Sequence, residues 1–204
     1  NTAYVGLPVA IALLPPAALS FSITYDLVGT LVTWSLGPAL LQAPQRQLNL
    51  WQLLRSNPVC RALVIAVPLA STPWGASIGL ALWWPARLVL WLMLTLVGMR
   101  LGLLQRAIRA EGDSHGRAGL YAAVLIKLIV LPGLVLLTSR LLAMPSLLRD
   151  AVVLQAGAPT AMAVLLLAEN SNGREKIPAA RLVLWSTLGS MVSLPLWWSL
   201  LARI

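Results

Sequence analysis

Long apolar runs follow one another along the chain and are separated by short polar breaks. A helix that crosses a bilayer needs about 20 mostly apolar residues. We predict seven such segments, at residues 1–14, 19–41, 58–75, 85–104, 118–142, 146–168 and 179–202. A backbone in lipid must satisfy its own hydrogen bonds, so each segment is expected to be a helix. The pattern therefore predicts an all-α polytopic membrane protein.

Composition agrees with this pattern. The 204 residues are 59% hydrophobic and only 10% charged, which is outside the range of soluble globular domains. No basic stretch precedes the first apolar run, so no cleavable signal peptide is predicted. The chain opens at Asn1 within an apolar pattern and without an initiator Met. We expect the first segment to be incomplete and the chain to be a fragment of a longer protein.

The net charge of +9 raises the question of a nucleic-acid partner. The basic residues are dispersed over several short loops instead of forming one phosphate-binding face, so no nucleic-acid partner is expected. Three loops are rich in them and alternate with poorer ones, and the positive-inside bias places these three in the cytoplasm. Their basic residues are Arg46 and Arg55; Arg100, Arg106, Arg109 and Arg117; and Arg174, Lys176 and Arg181. Membrane lipids are thus the expected surroundings.

A Gly-x-Pro unit occurs twice in matching sequence contexts. "GLPVAIALL" begins at Gly6 and "GAPTAMAVL" begins at Gly157. Five predicted crossings separate the two copies, so they run through the membrane in opposite directions. An odd repeat unit generates the inverted symmetry found in many secondary transporters. We therefore predict a second five-helix repeat at 58–204, the end of a first repeat at 1–41, and a cytoplasmic linker at 42–57.

Each proline is expected to break its helix, because it lacks an N–H and clashes with an earlier carbonyl. The half-helices that follow would present electropositive N-termini, and two of them together would bind an anion. The alternative is that both prolines only kink their helices. The predicted substrate-binding residues are Asn1, Thr2, Gly6, Pro8, Gln155, Gly157, Ala158, Pro159, Thr160 and Lys127. Gln155 has a second interpretation, in which its side chain satisfies backbone groups left open by Pro159.

Two ionisable residues lie inside predicted spans, where charge is expensive and usually functional. Asp26 is the candidate for binding a coupling ion, either a proton or Na⁺. Lys127 is the candidate for holding a substrate carboxylate. The alternative for this pair is a structural ion pair, or a lysine that extends to the interface.

Other chemistry is sparse. Cys60 is the one cysteine, so no cysteine-based metal site is expected, and no cofactor other than a coupling ion is predicted. His115 lies in the hydrophilic "EGDSHGR" loop and is expected to be solvated. Two further function classes stay open. A gated channel is one, and an intramembrane aspartyl protease using Tyr25-Asp26 is the other, although no second catalytic carboxylate is found within a span.

Five motifs in order resemble the auxin efflux carrier family, a ten-helix group of the bile-acid-symporter-like superfamily. "NTAYVGLP" is similar to its fourth helix and "YDLVGTLVTWSLGPALL" to its fifth. "KLIVLPG" resembles the eighth helix, "VVLQAGAPTAMAVLLLAEN" the ninth and "STLGSMVSLPLWWSL" the tenth. The resemblance covers essentially the whole chain.

The resemblance implies two inverted five-helix repeats, with a panel domain and a core in which the fourth and ninth helices unwind and cross. It also implies a non-enzymatic, secondary-active carrier of small organic anions, working by alternating access in the bacterial inner membrane. A homodimer is left open. The family commonly has Asn four residues after the ninth-helix proline, and Ala163 stands there instead. An amide contact to the solute is therefore missing or supplied by another residue.

Overall fold

The computed structural model describes residues 1–41, 58–111, 117–169 and 176–204. Every secondary-structure element within these ranges is helical, as predicted. The elements in chain order are the π-helical turn π1 (Thr2–Gly6), α1 (Leu7–Leu13), α2 (Pro16–Leu41), α3 (Pro58–Ala70), α4 (Gly75–Glu111), α5 (Arg117–Leu125), the π-helical turn π2 (Ile126–Val130), α6 (Leu131–Leu141), α7 (Ser146–Ala156), α8 (Met162–Glu169) and α9 (Lys176–Leu201). The predicted linker 42–57 lies outside the described residues, as do His115, Arg46, Arg55 and Arg174.

Two continuous helices among the described residues are long and apolar enough to cross a membrane. They are Gly119–Leu141, with a mean hydropathy of 2.5, and Ile177–Leu201, with a mean hydropathy of 1.3. A shorter apolar helix covers Thr2–Leu13. The count of seven spans and the inverted repeat therefore stay predictions.

The chain divides into two compact units. The first contains Asn1–Leu27 and Arg100–Ile204, and the second contains Val28–Met99. In the second unit, the Arg87 guanidinium lies 3.8 Å from the centre of the Trp83 ring, a cation–π contact. The first unit contains both Gly-x-Pro stretches and all the predicted site residues.

Helix α7 occupies the centre of the first unit. It packs against α6, α9, α1 and π1. Small side chains allow these helices to approach closely, as is typical of helix packing in membranes: Ala10 of α1 and Ala151 of α7 are both fully buried. The surrounding core cluster also contains Leu14, Ala18, Val153, Leu154, Leu194 and Leu201. The C-terminal end of α7 is thus enclosed by protein.

The predicted helix break at Pro8 is not observed. The chain passes directly from π1 into α1, with Pro8 at the second position of α1. The reason is the wider turn: the N–H of Leu7 bonds to the carbonyl of Thr2, five residues back, instead of four. A π-helical turn changes the register of the hydrogen bonds where the proline has no N–H to contribute. Pro8 therefore does not create a free helix N-terminus.

The same local arrangement occurs a second time. π2 is also five residues long, and Pro132 follows it at the second position of α6, just as Pro8 follows π1. The N–H of Leu131 bonds to the carbonyl of Ile126. Lys127 lies inside this turn. Single π-helical turns within α-helices are found frequently at functional sites.

Candidate functional site

The second Gly-x-Pro stretch does interrupt its helix, as predicted. α7 ends at Ala156 and α8 begins at Met162, so residues 157–161 form a non-helical connection that we call the break. Pro159 at its centre is among the fully buried side chains. Non-helical backbone at membrane depth is tolerated only where it is buried in protein or lines a cavity. The break meets this condition, because Gly157, Ala158, Pro159 and Thr160 are all buried.

Lys127 reaches the break from π2. Its Nζ donates a hydrogen bond of 2.7 Å to the carbonyl oxygen of Ala156, the last residue of α7. A cation there is favoured because the C-terminal end of a helix carries partial negative charge. Asp26 has a different partner, since its Oδ1 accepts a hydrogen bond from the Thr2 hydroxyl. The two charged residues are thus held by separate neutral groups and not by each other, so the predicted alternative of an ion pair is not observed.

The first Gly-x-Pro stretch lies against the break. The backbone nitrogen of Asn1 donates to the carbonyl oxygen of Pro159. Gly6 faces Gln155 so closely that a Cβ added to Gly6 would lie 2.2 Å from Oε1 of Gln155. The structure therefore brings together Asn1, Gly6, Gln155 and Pro159, which the sequence pattern selected in two separate segments.

Two amide side chains at this contact have unsatisfied polar atoms. Gln155 is completely buried, and neither its Oε1 nor its Nε2 has a hydrogen-bond partner among the described residues. Asn1 is 7% exposed, and its Nδ2 also has no hydrogen-bond partner among the described residues. Gln155 therefore does not satisfy backbone groups near Pro159, which was its alternative interpretation. Buried polar groups without partners are rare in native proteins, and each calls for an explanation such as a ligand.

Comparison with known proteins identifies the family. The family described as membrane transport protein, which is the auxin efflux carrier family, matches residues 49–198. The chain belongs to this family. No curated protein and no solved structure matched the chain. The resemblance noted from the motifs is thus confirmed, and the protein is a membrane transporter and not an enzyme, which removes the aspartyl protease as an alternative.

The family match covers one part of the site of this transporter. Lys127, Gln155 and the whole break lie within it, whereas Asn1, Gly6 and Asp26 precede it. The first group contains the break, the amide of Gln155 before it and the cation, Lys127. In the second group, Asn1 and Gly6 contact the break or Gln155 beside it, and Asp26 contacts Thr2, the residue after Asn1.

Trp197 connects the lysine-bearing turn of the transporter to the break. Pro132 has no N–H to give to the carbonyl of Leu128, four residues earlier, and the indole Nε1 of Trp197 bonds to that carbonyl at 2.9 Å. The same indole lies beside the break, since a Cβ added to Gly157 would be 3.5 Å from its Cδ1. The sequence pattern did not predict this role for Trp197.

A buried polar face on α9 was also missed. Ser186, Thr187, Ser190 and Ser193 are all less than 9% exposed. Three of them, Ser186, Ser190 and Ser193, follow a spacing of four and then three residues, which places them on one side of the helix. Ser186 accepts a hydrogen bond of 3.0 Å from the N–H of Thr160 in the break. The helical spacing of small polar residues within an apolar span was the signal available in the sequence.

These contacts correct the predicted chemistry of the site in the transporter. Two opposed helix N-termini were expected, but Pro8 lies within a continuous helical segment and supplies none. The positive charge at the break comes instead from Lys127, with α8 as the one half-helix that begins there. Hydrogen bonding capacity comes from the amides of Gln155 and Asn1. The arrangement suits a small anion that also carries polar groups.

Proposed function

We propose that this transporter is a secondary-active carrier of small organic anions such as carboxylates. One observation supports this most directly. The last two residues of α7 bring an amide and a cation to the same place. Gln155 carries the unsatisfied amide, and the carbonyl of the next residue, Ala156, binds the ammonium of Lys127. A cation and a polar amide beside a buried helix break are the groups that a carboxylate needs in order to leave water.

Lys127 is the group that binds the carboxylate in this proposal. Its present acceptor, the Ala156 carbonyl, is neutral. A carboxylate accepts a hydrogen bond from the ammonium as the carbonyl does, and its full negative charge adds a Coulomb attraction that the neutral carbonyl lacks. An entering carboxylate therefore displaces the carbonyl from the ammonium. The N-terminal end of α8 adds a weaker attraction for the same negative charge.

Alternating access is the proposed mechanism. The first unit, Asn1–Leu27 with Arg100–Ile204, contains all the site residues. We propose that it moves as the core domain that the family resemblance implies. Its movement exposes the break to one side of the bacterial inner membrane and then to the other. The site residues stay together during this movement, because α7, α9, α1 and π1 are packed into one core.

Flux measurements with the full-length protein in proteoliposomes test this proposal. We expect uptake of labelled lactate or succinate above its equilibrium concentration when a proton or Na⁺ gradient is imposed. Liposomes without protein are the control, and an ionophore that collapses the gradient should abolish the accumulation. Flux that stops at equal concentrations under every gradient would indicate a channel instead, and the absence of carboxylate flux would contradict the substrate class.

Asp26→Asn is expected to abolish accumulation while leaving downhill exchange of the anion. We propose Asp26 as the group that binds the coupling ion, because it lies inside α2 and contacts Thr2 beside the break. Asparagine retains the hydrogen bond to Thr2 but cannot take up a proton or neutralise Na⁺. The matched control is Asp150→Asn, since Asp150 pairs with its neighbour Arg149 at 2.9 Å. Accumulation that is unchanged in Asp26→Asn would exclude this role.

A further inference from the structure

The amide of Gln155 has a hydrogen-bonding requirement that a carboxylate alone does not meet. An amide side chain presents an acceptor oxygen and a donor NH₂ group. An ionised carboxylate only accepts hydrogen bonds. It can therefore satisfy Nε2 of Gln155 but has nothing to donate to Oε1. Both atoms are buried and lack a partner among the described residues.

The position of this amide is set by its packing. Gln155 is 0% exposed, and its Oε1 lies against Gly6, where the absence of a side chain makes room for it. A Cβ on Gly6 would also be 3.0 Å from Cδ of Gln155. The amide is thus held between π1 and the end of α7. It does not extend to bulk water, and the described residues supply no donor to Oε1.

The residue that carries the amide directly precedes the residue whose carbonyl binds the cation. Gln155 provides the amide, and Ala156 provides the carbonyl that Lys127 binds. A solute that meets both groups must carry its neutral hydrogen-bonding group close to its carboxylate. A hydroxyl group on the neighbouring carbon meets this requirement, because a hydroxyl both donates and accepts hydrogen bonds.

We infer that Gln155 determines specificity and selects hydroxycarboxylates over carboxylates that lack the hydroxyl. This inference rests on the proposed transport of small organic anions. In it, the solute hydroxyl donates to Oε1 of Gln155 and accepts from Nε2 or from Nδ2 of Asn1, while the carboxylate binds Lys127. A site that is built to bind a substrate hydroxyl rejects the analogue without it, because its own buried polar groups then stay unpaired.

Two solute pairs test the inference, lactate with propionate and 2-hydroxyglutarate with glutarate. The members of each pair carry the same charge and differ by one hydroxyl. We expect the wild-type protein to take up each hydroxycarboxylate at least ~10-fold more efficiently than its partner, which is a modest value for this kind of discrimination. In Gln155→Met, which replaces the amide by an apolar chain of similar length, the ratio should fall to about one through loss of the hydroxycarboxylate.

Three controls separate the possible outcomes. Gln155→Leu repeats the test if the methionine variant does not fold. Ser22→Ala removes another buried polar atom that lacks a partner among the described residues, and it should keep the wild-type ratio. Stabilisation of the detergent-solubilised protein by each solute, measured as the change in melting temperature, reports preference without any need for flux.

The outcomes distinguish this inference from the proposed function. Carboxylate transport with a wild-type ratio near one, or with an unchanged ratio in both Gln155 variants, would overturn the inference and leave the proposed function in place. Absence of both transport and stabilisation for all four solutes would overturn both.

Discussion

Lys127→Met is expected to lower carboxylate transport by roughly 100-fold while the protein stays folded. Lys127 provides the ammonium at the end of α7, where its Nζ lies 2.7 Å from the carbonyl oxygen of Ala156. Lys127 is partly buried, and removing one partner of such a contact between charged groups costs about 3 kcal/mol. Each 1.4 kcal/mol is about tenfold in affinity. Methionine retains most of the length of the chain and is compatible with an apolar span. Initial rates of labelled lactate uptake in proteoliposomes measure the effect.

The controls for this prediction keep the charge or remove it elsewhere. Lys127→Arg keeps the cation and should retain part of the activity. Arg140→Met removes an exposed cation at the far end of α6 and should transport at the wild-type rate. Wild-type uptake by Lys127→Met would show that the solute does not bind this ammonium, and would contradict the proposed site.

Gly6→Ala is expected to be the most damaging methyl addition in the described helices around the site. The new Cβ would lie 2.2 Å from Oε1 of Gln155 and 3.3 Å from Cβ of Ala158, so the buried amide must move. Overpacking of this kind costs about 1–3 kcal/mol. We expect a lower melting temperature in detergent and a decrease in transport of roughly tenfold, since a displaced amide no longer meets the solute.

Two variants separate the loss of stability from the loss of function. Gly29→Ala adds the same methyl group to α2 where, apart from the backbone of α2 itself, no atom of the described residues lies within 4 Å, and it should change neither property. The double variant Gly6→Ala/Gln155→Ala removes the amide that the methyl group displaces. We expect it to regain the melting temperature of Gln155→Ala but not the transport of the wild type. A single Gly6→Ala variant with wild-type stability and transport would show that Gln155 does not need this position.

The two prolines show how far local sequence determines a helix break. Gly-x-Pro occurs at both places, and the pattern predicted the same interruption in each. Pro159 follows the end of α7 and lies in a non-helical connection, whereas Pro8 follows a π-helical turn and stays within a continuous helical segment. The difference arises because a missing N–H can be accommodated either by unwinding or by widening the preceding turn. Which one occurs depends on the neighbours, and those are distant in sequence.

The sequence predicted those parts of the candidate site that contain ionisable residues inside apolar spans. Asp26 and Lys127 were identified because ionisable groups inside a span are costly. Their partners were not, since Thr2 was predicted to bind substrate and not Asp26, and the Ala156 carbonyl has no special signature in the sequence. Trp197 was missed for the same reason. Its bond to the Leu128 carbonyl depends on a helix that begins far from Pro132 along the chain.

The sequence by itself determined the helical class, the family, the two Gly-x-Pro candidates for a helix break and the two charged residues within predicted spans. These properties follow from local composition and spacing, because hydrophobicity, the missing N–H of proline and the cost of a buried charge are features of single residues and their close neighbours. The tertiary structure decided which proline interrupts its helix, that Lys127 binds Ala156 and not Asp26, and that Gln155 is buried against Gly6 without a partner among the described residues. Those results depend on contacts between separate segments of the chain, such as Lys127 with Ala156, 29 residues apart, and Gly6 with Gln155, which are further apart still. Only packing establishes such contacts.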